Sequence, residues 1–260
     1  MPMTTRILLG TKLTHASVRQ VDLDAPTRWL AAAWNDYRRA PTASLAYGAA
    51  FVIVSYVMVL GLHNLGLGSV APAVMAGFFL VAPILAVGLY DVSRRLERGE
   101  TANFEDTAFA FRRNLPGLSA MGLILMLAMA LWMQVALLIF MMFFHASPPP
   151  LDSFVHGVLT SDMVVPFVVV GGAVGYVIAS IVFAITAVSI PMLLDRKVPV
   201  MVAITTSVAA VRDNWRSMLG WAATIVVLIG VGFLTAFIGL ALTLPLVAYG
   251  TWHAYRDLVE

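Results

Sequence analysis

The sequence contains no cysteine. Disulfides, thiolate metal sites and cysteine nucleophiles are thereby excluded. Charge is scarce as well: 12% of the 260 residues are Asp, Glu, Lys or Arg, against about 25% in a soluble domain. None of these interrupts the long apolar runs described below. Ionisable groups inside a membrane mark proton relays, ion paths and voltage sensors, so this absence argues against a pump or proton-coupled transporter. His15, His63, His145, His156 and His253 all lie away from the centres of those runs, which leaves a haem without axial ligands. The net charge of +2 is too small for a nucleic-acid surface. The first 40 residues hold no apolar run longer than Ile7-Leu8-Leu9. No cleavable signal peptide is visible there, and the first span is expected to act as its own membrane signal.

Apolar residues, by contrast, make up 60% of the chain, and the mean hydropathy is +0.89. A soluble protein of this composition would aggregate, whereas a helix in lipid needs an apolar surface. About 20 apolar residues cross a bilayer core. On that measure residues 43–62, 72–90, 116–144 and 164–194 read as spans. Residues 218–251 form 34 uncharged positions, about 51 Å as one helix, which is too long for a single crossing. Gly230, Gly232 and Gly239 bracket Phe233 to Ile238, and glycine weakens a helix at a turn. A hairpin with spans over 218–233 and 238–253 is therefore expected.

Charge placement agrees with six spans. With the N-terminus inside, all 16 Lys and Arg fall in inner segments and none in outer loops, a positive-inside pattern. Residues 1–25 read as a flexible cytoplasmic segment and 26–260 as one transmembrane domain, with both termini cytoplasmic.

The architecture also repeats. Three amphipathic lead-ins end in similar motifs just before a span: Tyr37-Arg38-Arg39-Ala40, Phe111-Arg112-Arg113-Asn114 and Val211-Arg212-Asp213-Asn214. The third shows a helical stripe of Met201, Ile204, Val208, Val211 and Trp215, with Pro199 at its start. The first places Leu30, Ala33, Trp34 and Tyr37 on one face. The second has Phe104, Ala108 and Phe111, with Asn103 as N-cap and Asp106 three residues on. Each reads as a short helix in the inner interface, apolar side down and arginines at the headgroups. Pro83, Pro191 and Pro245 recur near the inner end of each closing span and read as structural kinks. The fold expected is all-α: three hairpins of two spans, each preceded by an interfacial helix.

No constellation points to catalysis. His145, Asp152, His156 and Asp162 in the middle outer loop include ordinary metal-ligand types, but their spacing is that of a solvated polar loop. Met121, Met126, Met129 and Met133 read as apolar filler, and Gln134 as an interhelical hydrogen bonder. Gly171, Gly175 and Ala179 form a ladder of small residues suited to helix packing, within the chain or between copies. Gly171 to Gly175 is not a nucleotide loop, lacking a Lys-Ser/Thr. The 14 arginines against 2 lysines favour phosphate recognition. Arg38, Arg39, Arg94, Arg95, Arg112, Arg113, Arg212 and Arg216 are the candidate contacts to anionic lipid headgroups.

Gly88-Leu89-Tyr90, Ser93-Arg94 and Leu96-Glu97-Arg98-Gly99, together with Arg112-Arg113-Asn114 and the stretch Thr251-Trp252-His253-Ala254-Tyr255-Arg256-Asp257-Leu258, carry a family resemblance. They resemble the signature of a bacterial family of predicted integral membrane proteins, domain of unknown function 2189, from about residue 25 onward. The resemblance implies a bacterial inner-membrane protein. Some members are labelled as related to cytochrome c oxidase subunit I, but this chain lacks the in-membrane histidines of such a subunit. The expected function is non-enzymatic, through contacts with lipids, a second copy or another membrane protein, with no cofactor. A channel or carrier for an uncharged or apolar solute is the alternative, and a membrane-embedded enzyme stands third.

Overall fold

A computed structural model describes residues 5–8, 11–14, 16–145 and 154–260. After a short hairpin of strands β1 (Thr5–Leu8) and β2 (Thr11–Thr14), the chain is helical. The helices are α1 (Ala25–Arg39), α2 (Pro41–Asn64), α3 (Ala71–Leu85), α4 (Val87–Glu97), α5 (Phe104–Ala108), α6 (Leu115–Phe144), α7 (Phe154–Leu159), α8 (Val164–Thr186), α9 (Ser189–Asp195), α10 (Val200–Asp213), α11 (Trp215–Leu234) and α12 (Leu240–Leu258).

Five helical stretches among the described residues are long and apolar enough to cross a membrane: Pro41–Asn64, Gly68–Glu97, Phe104–Phe144, Val164–Asp195 and Trp215–Leu234. The expected sixth, α12, does not reach that measure. Its second half carries His253, Arg256 and Asp257. The chain still reverses where the glycines predict. Phe237 N–H donates to the Gly232 carbonyl at 2.9 Å, and Ala236 and Phe237 both take positive φ.

The three lead-ins differ in length. α1 and α10 are regular helices that each break at a single residue, Ala40 and Asn214, before the next helix starts. The second lead-in is only α5 followed by a 3₁₀ turn, Ala110–Asn114. Asn103 stands at the N-cap of α5 but gives it no side-chain cap, contrary to expectation. The stretch from Asp91, expected as a loop, stays helical to Glu97.

Proline explains one of two breaks. Pro83 lies near the end of α3, and the helix is interrupted at Ala86 before α4 begins. Pro191 has no N–H to offer the Ala187 carbonyl, and α8 and α9 are separated there. Polar groups freed at such a break must find partners away from water. Ser207 of α10 supplies them: its Oγ donates to the Ala184 carbonyl at 2.8 Å and accepts from Val188 N–H at 3.2 Å. Pro245 sits inside an unbroken α12.

By its internal contacts the chain divides into two compact units. The first comprises Met1–Val52, Pro83–Gly122 and Phe183–Glu260. It holds every Lys and Arg of the sequence and all acidic residues except Asp152 and Asp162. Its centre is α12, packed by α1, α4, α9 and α11. Trp221, Tyr249, Trp252 and Tyr255 are fully buried there. Trp29 meets Trp221 edge-on at 5.9 Å between ring centres. Trp221 and Trp252 are thus core residues. Close approach depends on glycine: a Cβ on Gly250 would lie 2.3 Å from the Trp221 ring, and one on Gly48 2.2 Å from the Ala241 carbonyl oxygen.

Residues 16–24, expected to be flexible, are pinned to this unit. Val18 bridges Val259, Asn214 Oδ1 accepts from Val21 N–H at 2.9 Å, and Ser217 Oγ donates to the Asp22 carbonyl at 3.0 Å.

The second unit comprises Ile53–Ala82 and Leu123–Val182. Trp132 organises it. Its indole N–H donates to the Ala73 carbonyl at 2.9 Å, and its ring fits against Gly77 and Gly175. Phe140 and Phe144 stack and meet Phe167 edge-on. Outward-facing Leu127, Leu131, Leu138 and Met141 leave its α6 surface apolar. Gln134, expected to bond another helix, lies exposed on that surface, and its side-chain amide makes no hydrogen bond to the described residues.

Candidate functional site

The polar chemistry of the first unit gathers where α4, α9 and α12 pack together. Each of these helices follows a span or closes the chain, so each brings charged residues from just beyond an apolar run. α4 offers Asp91, Arg94, Arg95, Glu97 and Arg98; α9 ends in Asp195; α12 carries Tyr255 and Arg256.

Asp91 and Arg94 are buried and share a 2.6 Å contact through Arg94 Nε, while Arg95 reaches the other Asp91 oxygen at 3.1 Å. Burying two charges costs several kcal/mol per ion before pairing offsets it, so this pair is committed to the fold. The surrounding pairs are longer. Arg256 stands 3.2 Å from Glu97 and 3.6 Å from Asp195, and Arg98 stands 3.7 Å from Asp195. Asp195 also accepts from the Tyr255 hydroxyl at 2.9 Å, and Arg196 Nε donates to that hydroxyl at 2.9 Å. Burial, and then the Asp195 charge, push the Tyr255 phenol well above the usual tyrosine range. Arg94, Glu97, Arg98, Asp195 and Arg256 line a cleft of about 350 Å³.

A second cluster joins α1, α4 and α12. Asp36, almost fully buried, accepts from Ser93 Oγ at 2.7 Å and contacts His253 Nε2 at 2.8 Å, both at Oδ2. The three residue types match a hydrolytic triad, but the connectivity does not. In a triad the serine bonds the histidine, which takes its proton. Here the Ser93 hydroxyl is spent on the carboxylate, so nothing activates it.

The sequence-derived candidates separate cleanly. Arg38, Arg39, Arg112, Arg113, Arg212 and Arg216 are exposed. Arg94 is 3% exposed and Arg95 23%, and both contact Asp91. Arg112 lies over the Phe109 ring and Arg216 over the Trp215 ring, at 4.6 and 5.2 Å. Of the small-residue ladder, Gly175 meets Trp132, nothing lies within 4 Å of a Cβ placed on Gly171, and Ala179 is exposed. Met121 is buried, Met129 and Met133 are half-buried, and Met126 faces outward. His145, His156 and Asp162 are exposed, and Asp152 lies outside the described residues. Among the described residues no three His, Asp or Glu side chains are grouped to hold a metal.

Sequence reasoning missed Asp36, Asp91, Ser93, Glu97, Asp195, His253 and Tyr255. One signal was available: Asp36 follows Trp29 and Ala33 on the buried face of α1, an acid on an otherwise apolar stripe.

Comparison with curated proteins and with solved structures gives no match. Residues 70–195 match the family model described as predicted integral membrane protein (DUF2189).

Proposed function

We propose that this protein is a non-enzymatic component of the bacterial inner membrane, with six spans and both termini in the cytoplasm, that acts through lipid and protein contacts. The observation that carries the reading is the outward surface of the first unit. Met201 and Val208 from α10, Trp215 at the start of α11, Trp34 from α1, and Phe104 and Phe109 from the second lead-in are all exposed. They stand beside the exposed arginines Arg38, Arg112, Arg212 and Arg216. Apolar side chains beside arginines suit the boundary between acyl chains and anionic headgroups. The 16-to-0 partition of Lys and Arg between inner and outer segments supports the orientation. The test is to identify lipids that co-purify in uncharged detergent. Anionic phospholipid enriched over the bulk membrane, and depleted when Arg38, Arg112, Arg212 and Arg216 are all changed to Gln, is expected. Equal lipid composition in the two proteins refutes the reading.

Gln134 supports a protein contact. Its amide sits outward in the middle of α6, in a row with Leu127, Leu131, Leu138 and Met141. That spacing of alternately four and three residues is the seam of a helix pair. An amide left in hydrocarbon favours a partner that both donates and accepts, and a second copy of the same glutamine is such a partner. Crosslinking through cysteines placed at Leu131 or Leu138 is expected to give dimers that Gln134→Leu diminishes. Unchanged monomers in both proteins count against self-association.

A further inference from the structure

Beyond lipid contact at the rim, we infer that the cleft at the junction of α4, α9 and α12 binds a phosphate-bearing anion. Three guanidiniums, Arg94, Arg98 and Arg256, face two carboxylates, Glu97 and Asp195. Asp195 is shared further, by Arg98, Arg196, Arg256 and the Tyr255 hydroxyl. With Arg94 held by Asp91, Asp195 is divided among three guanidiniums and a hydroxyl, which leaves its own pairs loose.

The distances say which arginines are available. A charge-assisted hydrogen bond from a guanidinium to a carboxylate runs about 2.7–2.9 Å. Arg94 Nε meets that standard with Asp91 at 2.6 Å, but Arg98 and Arg256 stay at 3.2–3.7 Å from their carboxylates. The Arg98 and Arg256 guanidiniums are half-exposed, while Asp195 is 12% exposed. The Arg256–Glu97 pair, with both side chains partly exposed, is of the kind that contributes about 0–1 kcal/mol, so an incoming phosphoryl group can exchange for it at little cost. Arg94 is different. It is nine-tenths buried, lines the cleft, and among the described residues bonds only Asp91, through Nε alone. Its terminal nitrogens remain for a ligand. Arginine forks match phosphate oxygens in pairs, and the volume of about 350 Å³ suits a phosphate ester.

The phosphate can belong to a soluble compound or to a phospholipid headgroup. Both sources are tested on the full chain in uncharged maltoside detergent. Inorganic phosphate is titrated calorimetrically at constant ionic strength, with chloride as the exchanged ion. Phosphatidylglycerol is titrated in parallel and read by native mass spectrometry. The variant is Arg98→Gln with Arg256→Gln, whose half-exposed positions spare the fold. Arg94→Lys keeps the charge opposite Asp91 but loses the fork. We expect each variant to weaken binding about tenfold or more, as loss of a paired guanidinium contact does. Binding of inorganic phosphate that the variants weaken assigns a soluble source. Variant-sensitive binding of phosphatidylglycerol alone assigns a headgroup. If neither probe binds, or if both variants bind like the parent, the inference is overturned. The rim arginines are untouched in these proteins, so this failure leaves the lipid-contact reading to its own test.

Discussion

A Cβ on Gly88 would lie 2.0 Å from the Tyr47 hydroxyl, which instead shares a 3.0 Å hydrogen bond with Thr107. The first glycine of the family-like motif is therefore a contact surface for a ring on α2. Gly88→Ala is expected to destabilise the protein by about 1–3 kcal/mol, the usual cost of overpacking. A thermal-unfolding midpoint unchanged from the parent counts against it.

Asp36 is expected to be the least replaceable polar residue of the first unit. Asp36→Ala strands the Ser93 hydroxyl and the His253 ring, each near the usual cost of about 1–3 kcal/mol for an unsatisfied buried group. The double variant Asp36→Ala with Ser93→Ala should lose less than the sum of the singles, because both halves of one bond are gone. Strict additivity in a double-mutant cycle would show that the pair is not coupled.

Tyr255 gives a pH dependence with a definite sign. In the unfolded chain a tyrosine ionises near pH 10, whereas burial beside Asp195 raises the folded value. Above about pH 10 the unfolded state therefore holds fewer protons than the folded one, and stability falls as pH rises. Below that pH the group has no effect. Tyr255→Phe is expected to flatten this alkaline loss in chemical denaturation. A loss equally steep in the variant places the titration elsewhere.

On α10, oxygen accessibility of a spin label at Val208 is expected to be high, as in lipid. A label at Ser207, one position earlier, should be shielded from both oxygen and water reagents. Water-like accessibility at Val208 would remove this helix from the membrane surface.

That contrast shows where the sequence was legible. The long apolar runs, the prolines and the glycine-bracketed turn are local signals, and the helices follow them to within a few residues. The facing of α10 was not local. Its apolar stripe is real, but in lipid a large apolar residue can point outward as well as inward, and here the core takes Ala203, Thr206, Ser207 and Ala210. The polar clusters were harder still. Asp36 and His253 are 217 positions apart, and no spacing rule connects them. Only folding shows that the ends of α4, α9 and α12 converge.

Orientation is testable independently. Reporter fusions before residue 1 and after residue 260 are both expected to be active in the cytoplasm, and a polar tag after Thr235 to be labelled from the periplasm. A C-terminal fusion active only in the periplasm leaves the five apolar stretches as the full set of crossings.

The place of α12 has a consequence for biosynthesis. It follows every other described helix in the chain, so it leaves the ribosome after them. Yet its buried side chains are what α1, α4, α9 and α11 pack against. Earlier helices must then wait in the bilayer and on its surface without their common partner. The Asp36 carboxylate and the outer sides of Trp29 and Trp221 stay without these partners until α12 has been made and has docked. Chains truncated before Leu240 should consequently be open to quality-control proteases, whereas chains whose α12 has left the ribosome and docked are closed.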